Sequence, residues 1–348
     1  MRLVTAACTC AIAAALAVTV SAQTVTYEQA KELFEQHRWS EAAKAFAKYE
    51  KANPEKSDAL LYRAKSLVNL GQYDEADSAL GPYLIAHPES DDALYILGYI
   101  RFRQGKAKES LDTFTAAAKL KNPTANDLKI AALDYVLLQD YGDAAHYLEL
   151  SVQMDPSDAE AWYHLGRTRY QQNKFDQAIE AFQRSLQLDP RSVKAENNLG
   201  LTLEAKNQTE DAIAAYRKAI SFDASATSHS EQPYLNLGSL LVKLNHTEDA
   251  IPLLAKACET APGAAKTHYE LGKAYFGLKR FDDARKETEA AVKLDPKDSS
   301  QHYLLGRIYQ RMGKTTLANE QFHMTADMMH AKETNAASGM ASGMNSHQ

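Results

Sequence analysis

The stretch from Ala159 to Ser192, AEAWYHLGRTRYQQNKFDQAIEAFQRSLQLDPRS, decides the fold. It reads as two amphipathic helices of about 12 to 14 residues each, packed antiparallel. Asn173 lies between them, a residue able to take φ > 0 and so to cap the first helix. Pro190 stops the second, because proline cannot continue a helix and restricts the residue before it. Gly166 and Ala178 are where the two helices cross. Helices approach to about 8–10 Å only where the crossing side chains are small.

The same unit recurs on both sides of this stretch. Moving back from Gly166 in steps of 34 gives Ala132, Gly98, Ala64 and Ala30. Moving forward gives Gly200, then Gly238 after four inserted residues, then Gly272 and Gly306. Twelve residues after each lies a second small series: Ala42, Ala76, Ser110, Ala144, Ala178, Ala212, Ala250, Ala284 and Ala318. Gly71, Gly105, Gly313, Asn173, Asn207 and Asn245 recur at the inter-helix turn, and Pro54, Pro88, Pro156, Pro190, Pro262 and Pro296 at the second stop. Phe46, Leu80, Phe114, Leu148, Phe182, Tyr216, Leu254 and Phe322 fill the space between units. One such unit cannot bury its apolar face alone, so neighbours must stack. A length of 348 residues suggests two or three domains, but the 34-residue period is the better divisor.

Trp162, Leu165, Gly166, Ala178, Phe182 and Pro190 stand at positions 4, 7, 8, 20, 24 and 32 of the unit. In this pattern the chain resembles the tetratricopeptide repeat family from residue 23 to about 332. The resemblance implies an all-α fold, an α-solenoid in which tandem helix-turn-helix repeats wind as a right-handed superhelix. Nine repeats are expected, over 23–56, 57–90, 91–124, 125–158, 159–192, 193–226, 231–264, 265–298 and 299–332, with an insertion at 227–230 and a disordered tail at 333–348. The first repeat reads as a cap. Ala224 replaces the usual proline before the insertion, which reads as a longer loop and a slight hinge between repeats 1–6 and 7–9.

The N-terminus is different material. Arg2 precedes an uncharged, Ala-rich apolar run from Leu3 to Val20, and Val20-Ser21-Ala22 places short residues where a signal peptidase cuts. Residues 1–22 therefore read as a signal peptide, and the protein as exported, periplasmic or secreted. The chain would touch a membrane only through this segment, if it stayed uncleaved. Cleavage would leave Cys258 as the one thiol and move the net charge from −6 to −7. Charges of both signs are interspersed, with no global basic surplus of the kind nucleic acid requires.

Little in the sequence points to chemistry. Met312-Gly313-Lys314-Thr315-Thr316 lacks the earlier glycine and the preceding strand of a phosphate-binding loop. No nucleophile–base arrangement suggests an enzyme, and no cofactor, metal site within the repeats, or small-molecule substrate is expected. His164, His268 and His302 read as packing or edge residues, and Cys258 as a buried core thiol. The C-terminus is enriched in Met324, Met328, Met329, Met340 and Met344, with His323, His330 and His347. Thioether and imidazole suit Cu(I), so copper handling is an alternative function.

The resemblance also implies a binding surface: the concave face of the first helices, at positions 2, 5, 9, 12 and 13. The basic residues there are Lys31, Lys65, Arg103, Lys129, Arg167, Lys194, Lys243, Lys266, Lys273, Arg307 and Arg311, against the acidic Glu35, Asp58, Asp92, Glu160 and Glu204. The surface would carry +6 on an acidic protein. Tyrosine recurs beside these charges, and Tyr and Arg are enriched at interface hot spots. The candidate contacts are Tyr95, Tyr99, Arg103, Tyr163, Arg167, Tyr170, Tyr269, Lys273, Tyr303 and Arg307. The expected partner is an extended or helical protein segment, acidic or aromatic, and the expected role is that of a scaffold. A subunit of an envelope assembly or secretion machine is the alternative within the same class. The family's carboxylate clamp does not carry over, since Leu133 follows Lys129 where an asparagine is needed. Of its asparagine ladder only Asn198 and Asn236 match.

Overall fold

The structure, a computed structural model, describes residues 25–224, 227 and 229–344. Residues 1–24, which include the expected signal peptide, three residues around the insertion and the last four residues lie outside it. The described residues form eighteen helices and no strand. They are α1 (Tyr27–Glu35), α2 (Trp39–Ala52), α3 (Asp58–Asn69), α4 (Tyr73–Ala86), α5 (Asp91–Arg103), α6 (Ala107–Ala118), α7 (Ala125–Leu137), α8 (Tyr141–Met154), α9 (Ala159–Gln171), α10 (Phe175–Leu188), α11 (Val193–Ala205), α12 (Thr209–Asp223), α13 (Gln232–Lys243), α14 (Thr247–Thr260), α15 (Ala265–Gly277), α16 (Phe281–Leu294), α17 (Ser299–Arg311) and α18 (Thr315–Met344). Each odd-numbered helix pairs with the even-numbered helix after it. Helix α18 continues through residues 333–344, where the sequence reads as a tail.

The crossings are where the small residues recur. Every position-20 residue from Ala42 to Ala284 is fully buried, and Ala318 is buried as well. At position 8 the backbone itself is the contact surface: a Cβ on Gly166 would stand 2.7 Å from the Phe182 ring, and one on Gly306 2.6 Å from Phe322. Phe46, Leu80, Leu148, Phe182, Tyr216 and Leu254 are wholly buried at position 24.

The turns are also periodic. Gly71, Gly105, Gly313, Asn173, Asn207 and Asn245 all take positive φ, as expected. So do His37 (58°), Gln139 (61°) and Lys279 (58°), which occupy the same place in the remaining repeats. A left-handed conformation costs an ordinary L-residue roughly 1–2 kcal/mol, and here the helix pair on either side imposes it. The second helices stop alike. Asn53, His87, Asp155, Asp189, Ala261 and Asp295 each precede a proline and share φ between −138° and −123° with ψ between 65° and 87°. Two of the eight second helices before α18 lack that proline. After α6, Lys119 stays αR, and proline is delayed to Pro123; after α12, Ala224 stays αR.

The chain divides into two compact units, residues 1–122 and 123–348. Within each, first helices touch the next first helices, as α3 touches α5 and α9 touches α11. No corresponding contact joins successive second helices among the described residues. The first helices therefore line the inner, more crowded side of each unit. No described helix is long and apolar enough to cross a membrane.

Candidate partner-binding face

One concavity on the first-helix side lies in the second unit, around Tyr163. Helix α9 begins at Asp158, whose carboxylate accepts from the Glu160 and Ala161 N–H groups at 2.9 and 3.0 Å. This cap sets the helix so that Tyr163 turns toward α11. The Tyr163 ring is 7 % exposed, packed on Ala178 and Phe182, and burial pushes its hydroxyl pKa up. Its outer edge carries two cations. Lys194 Nζ stands 4.7 Å from the ring centroid and the Arg167 guanidinium 5.8 Å. Asn198 Nδ2 donates to the Tyr163 hydroxyl at 3.4 Å.

Beside it opens a pocket of about 380 Å³, lined by Tyr163, Val193, Lys194, Asn197, Asn198, Asp223, His229, Ser230, Gln232 and Pro233. Asn197 Oδ1 accepts from Asn236 Nδ2 at 3.0 Å. The buried Asp223 carboxylate accepts from the Ser230 N–H at 2.8 Å and faces His229 Nδ1 at 3.2 Å. His229, Ser230, Gln232 and Pro233 thus form one wall. The expected loop contributes to a concavity because the buried Asp223 carboxylate of the preceding helix holds Ser230 and faces His229.

The same cation-on-ring arrangement recurs elsewhere. Arg307 lies 5.9 Å from the Tyr303 centroid and 4.9 Å from that of Phe276. In the first unit Arg103 lies 4.6 Å from the Tyr73 centroid and donates to the Tyr99 hydroxyl at 2.7 Å. It borders an open pocket of about 530 Å³. Among the described residues no carboxylate lies within ion-pair distance of Arg103, Arg167 or Arg307. All three are exposed.

Other candidates are occupied internally. Tyr95 donates to the Lys121 carbonyl at 2.6 Å. Tyr170 packs its ring 5.6 Å from Phe175, and Tyr269 packs beside Leu304 and Ile308. Lys273 pairs with Glu270 at 3.2 Å instead of extending over Tyr269. Several of the basic residues on this face are also paired. Lys65 pairs with Asp92, Lys243 with Glu204, and Lys129 with Asp158 at 2.8 Å and Glu160 at 3.5 Å. Burial raises the Asp158 pKa, but Lys129 and the two cap N–H groups outweigh it and hold the carboxyl below its usual range. Asp92, Glu160 and Glu204 are already included in the +6, whereas Asp158 and Glu270 stand just outside those positions and lower it to +4.

The family model of the tetratricopeptide repeat matches residues 27–76, 63–124, 131–192 and 165–229, and a second model of the same description matches 234–308. The chain belongs to the tetratricopeptide repeat family. Among solved structures it is similar to a tetratricopeptide repeat protein from Parabacteroides merdae. The TM-score is 0.58 at 19% identity, covering 72% of this chain and 98% of that one. It is likewise similar to a chain of the APC/C hetero-tetramer Cut9-Hcn1, with a TM-score of 0.58 at 18% identity, covering 80% of this chain. The match spans 54% of that longer chain. These likenesses show the fold alone. No curated protein sequence matches.

Within the tetratricopeptide repeat frame the three histidines have different surroundings. His164 is half-buried behind the Tyr163 face, and its desolvation lowers its pKa to about 4 against the pull of Glu160. His268 and His302 each face the carbonyl of the preceding proline, Pro262 at 3.2 Å and Pro296 at 3.1 Å. Trp162 donates to Pro156 in the same place at 3.0 Å. In α18, Met324 and Met329 are exposed. The side chains of Met340 and Met344, and all of His347, lie outside the described residues.

Proposed function

We propose that this protein is an exported scaffold that holds an extended or helical segment of a partner protein against the first-helix face. The observation that carries this reading is the Tyr163 ring, which lines the concavity and has the Arg167 guanidinium 5.8 Å from its centroid. A desolvated ring, an exposed guanidinium without a carboxylate partner, and side-chain amides around a pocket form a surface complementary to acidic and aromatic side chains and to peptide backbone. Aromatic rings anchor such contacts, and an Arg over a ring offers both charge and a flat apolar surface. Export rests on residues 1–22, whose charge, apolar run and small residues match a signal peptide.

The test is cross-linking in intact cells, with a photoreactive residue placed at Gln232 on the pocket edge. A reproducible partner in an exported compartment is expected, and its capture should weaken with salt because the rim is cationic. Salt-insensitive capture, or capture unchanged by Arg167→Ala together with Lys194→Ala, overturns the groove assignment. A cytoplasmic location overturns export.

A further inference from the structure

The strongest unassigned constellation lies between repeats seven and eight, away from the Tyr163 pocket. Cys258 on α14, His268 on α15 and Glu287 on α16 bring a sulfur, a ring nitrogen and a carboxylate oxygen within 4.8 Å of one another. Helix pairing within repeat eight joins His268 to Glu287, and the stacking of repeat seven against repeat eight brings Cys258 to them.

The hydrogen bonds around His268 make this more than proximity. Its Nε2 faces the Pro262 carbonyl at 3.2 Å, and a carbonyl only accepts, so Nε2 carries the proton. Trp162, which has an obligate N–H, makes the same bond to Pro156. In a neutral ring Nδ1 is then a bare lone pair, and it faces Glu287 Oε2 at 2.8 Å. Two acceptors this close require a cation between them, either a proton or a metal ion. A histidine whose second nitrogen is fixed by a backbone carbonyl is also how metal-ligating histidines are oriented.

The next repeat supplies an internal control. Thirty-four residues on, the three places hold Val292, His302 and Gln321. His302 keeps its bond to the proline carbonyl, and its Nδ1 meets the Gln321 amide at 2.7 Å. A flipped amide can donate there, so no cation is needed. The repeat therefore does not require a thiol or a carboxylate in this place, and repeats seven and eight supply both. The three side chains are mostly buried, yet the His268 and Glu287 side chains keep 15 % and 16 % exposure, which leaves a route for an ion.

We propose that Cys258, His268 and Glu287 form a zinc(II) site, with the fourth tetrahedral position open to water or to a ligand from a partner. The mixed S, N and O donors suit this ion. Bonds of about 2.0–2.3 Å place tetrahedral donors roughly 3.3–3.8 Å apart, so the thiol closes by about 1 Å and the His268–Glu287 pair opens. Zinc displaces the thiol proton and the proton held between Nδ1 and the carboxylate, and both go to solvent. Burial pushes the Cys258 thiol up, so without metal it stays protonated. Lys286, 3.9 Å from the other Glu287 oxygen, is exposed and free to swing away.

The test uses the untagged full chain with Cys8→Ser and Cys10→Ser, so that Cys258 is its only thiol. Cobalt(II) is the probe, followed by displacement with zinc(II). One equivalent of cobalt should give a sulfur-to-metal charge-transfer band that zinc abolishes. Cys258→Val should remove the band, and Glu287→Gln should weaken cobalt affinity about tenfold or more. Both changes install the residue found one repeat on, so folding is expected to survive, as circular dichroism would verify. No band at saturating cobalt, or affinity unchanged in Glu287→Gln, overturns the proposal.

Discussion

Gly166 and Arg167 are adjacent on α9, yet they answer to different constraints. Gly166 faces the Phe182 ring, where even one added carbon would stand 2.7 Å away. Arg167 faces outward over Tyr163, where nothing in the chain dictates its identity. The crossing seam repeats because its geometry repeats. The first-helix face varies from repeat to repeat because no internal packing holds it constant. Sequence periodicity therefore reports on the seam, and departures from periodicity report on the face.

The first way to break this contrast is to overfill the seam. Gly166→Leu should destabilise the second unit by about 3 kcal/mol, the upper end of the usual cost of overpacking. It should lower the urea midpoint followed by Trp162 fluorescence. A midpoint unchanged from the wild type would show that the seam can yield.

The second prediction concerns the residue between the two regions. His164 lies behind the face, and its folded pKa of about 4 is below its ordinary 6.5. The unfolded chain therefore takes up the proton first. The stability tied to this residue is fully present above pH 6.5 and is lost as pH falls toward about 4. A shift of that size corresponds to roughly 3 kcal/mol at the acid limit, and less at intermediate pH. His164→Gln should flatten the urea-midpoint profile between pH 6.5 and 4, and a profile parallel to wild type would contradict the assignment.

Arg167→Ala sharpens the contrast from the other side. It should leave stability within about 0.5 kcal/mol, as exposed substitutions do, while weakening partner capture about tenfold. Equal losses of stability and binding would place Arg167 in the architecture. The smallest effect is expected at a turn. Lys279→Gly should stabilise by about 0.5–1 kcal/mol, because glycine avoids the left-handed penalty and gives back part of that in chain entropy. Thermal denaturation would resolve the sign.

Nearly all of the helical frame was legible in the sequence, because small residues at two positions and prolines at a third leave a period no other fold requires. His37, Gln139 and Lys279 escaped as turn residues, since the flanking helices impose a conformation that their own chemistry does not favour. Of the candidate site, Arg103, Arg167, Tyr163 and Arg307 could be placed on a face by counting. Which cations were already neutralised could not, because Asp158 and Glu270 lie outside the counted positions. The Cys258–His268–Glu287 cluster was hidden for a related reason: its members belong to three helices of two repeats, and no local spacing connects them.

The seam has one more consequence, and it belongs to heredity. Gly166, Ala178 and Phe182 all lie within one repeat, so each unit carries both halves of its own crossing. A recombination that duplicates or deletes one period of the gene delivers every seam intact. What changes is the order of the outward faces. A scaffold built this way can acquire a new partner by shuffling whole units, with its helix pairs still meeting as before.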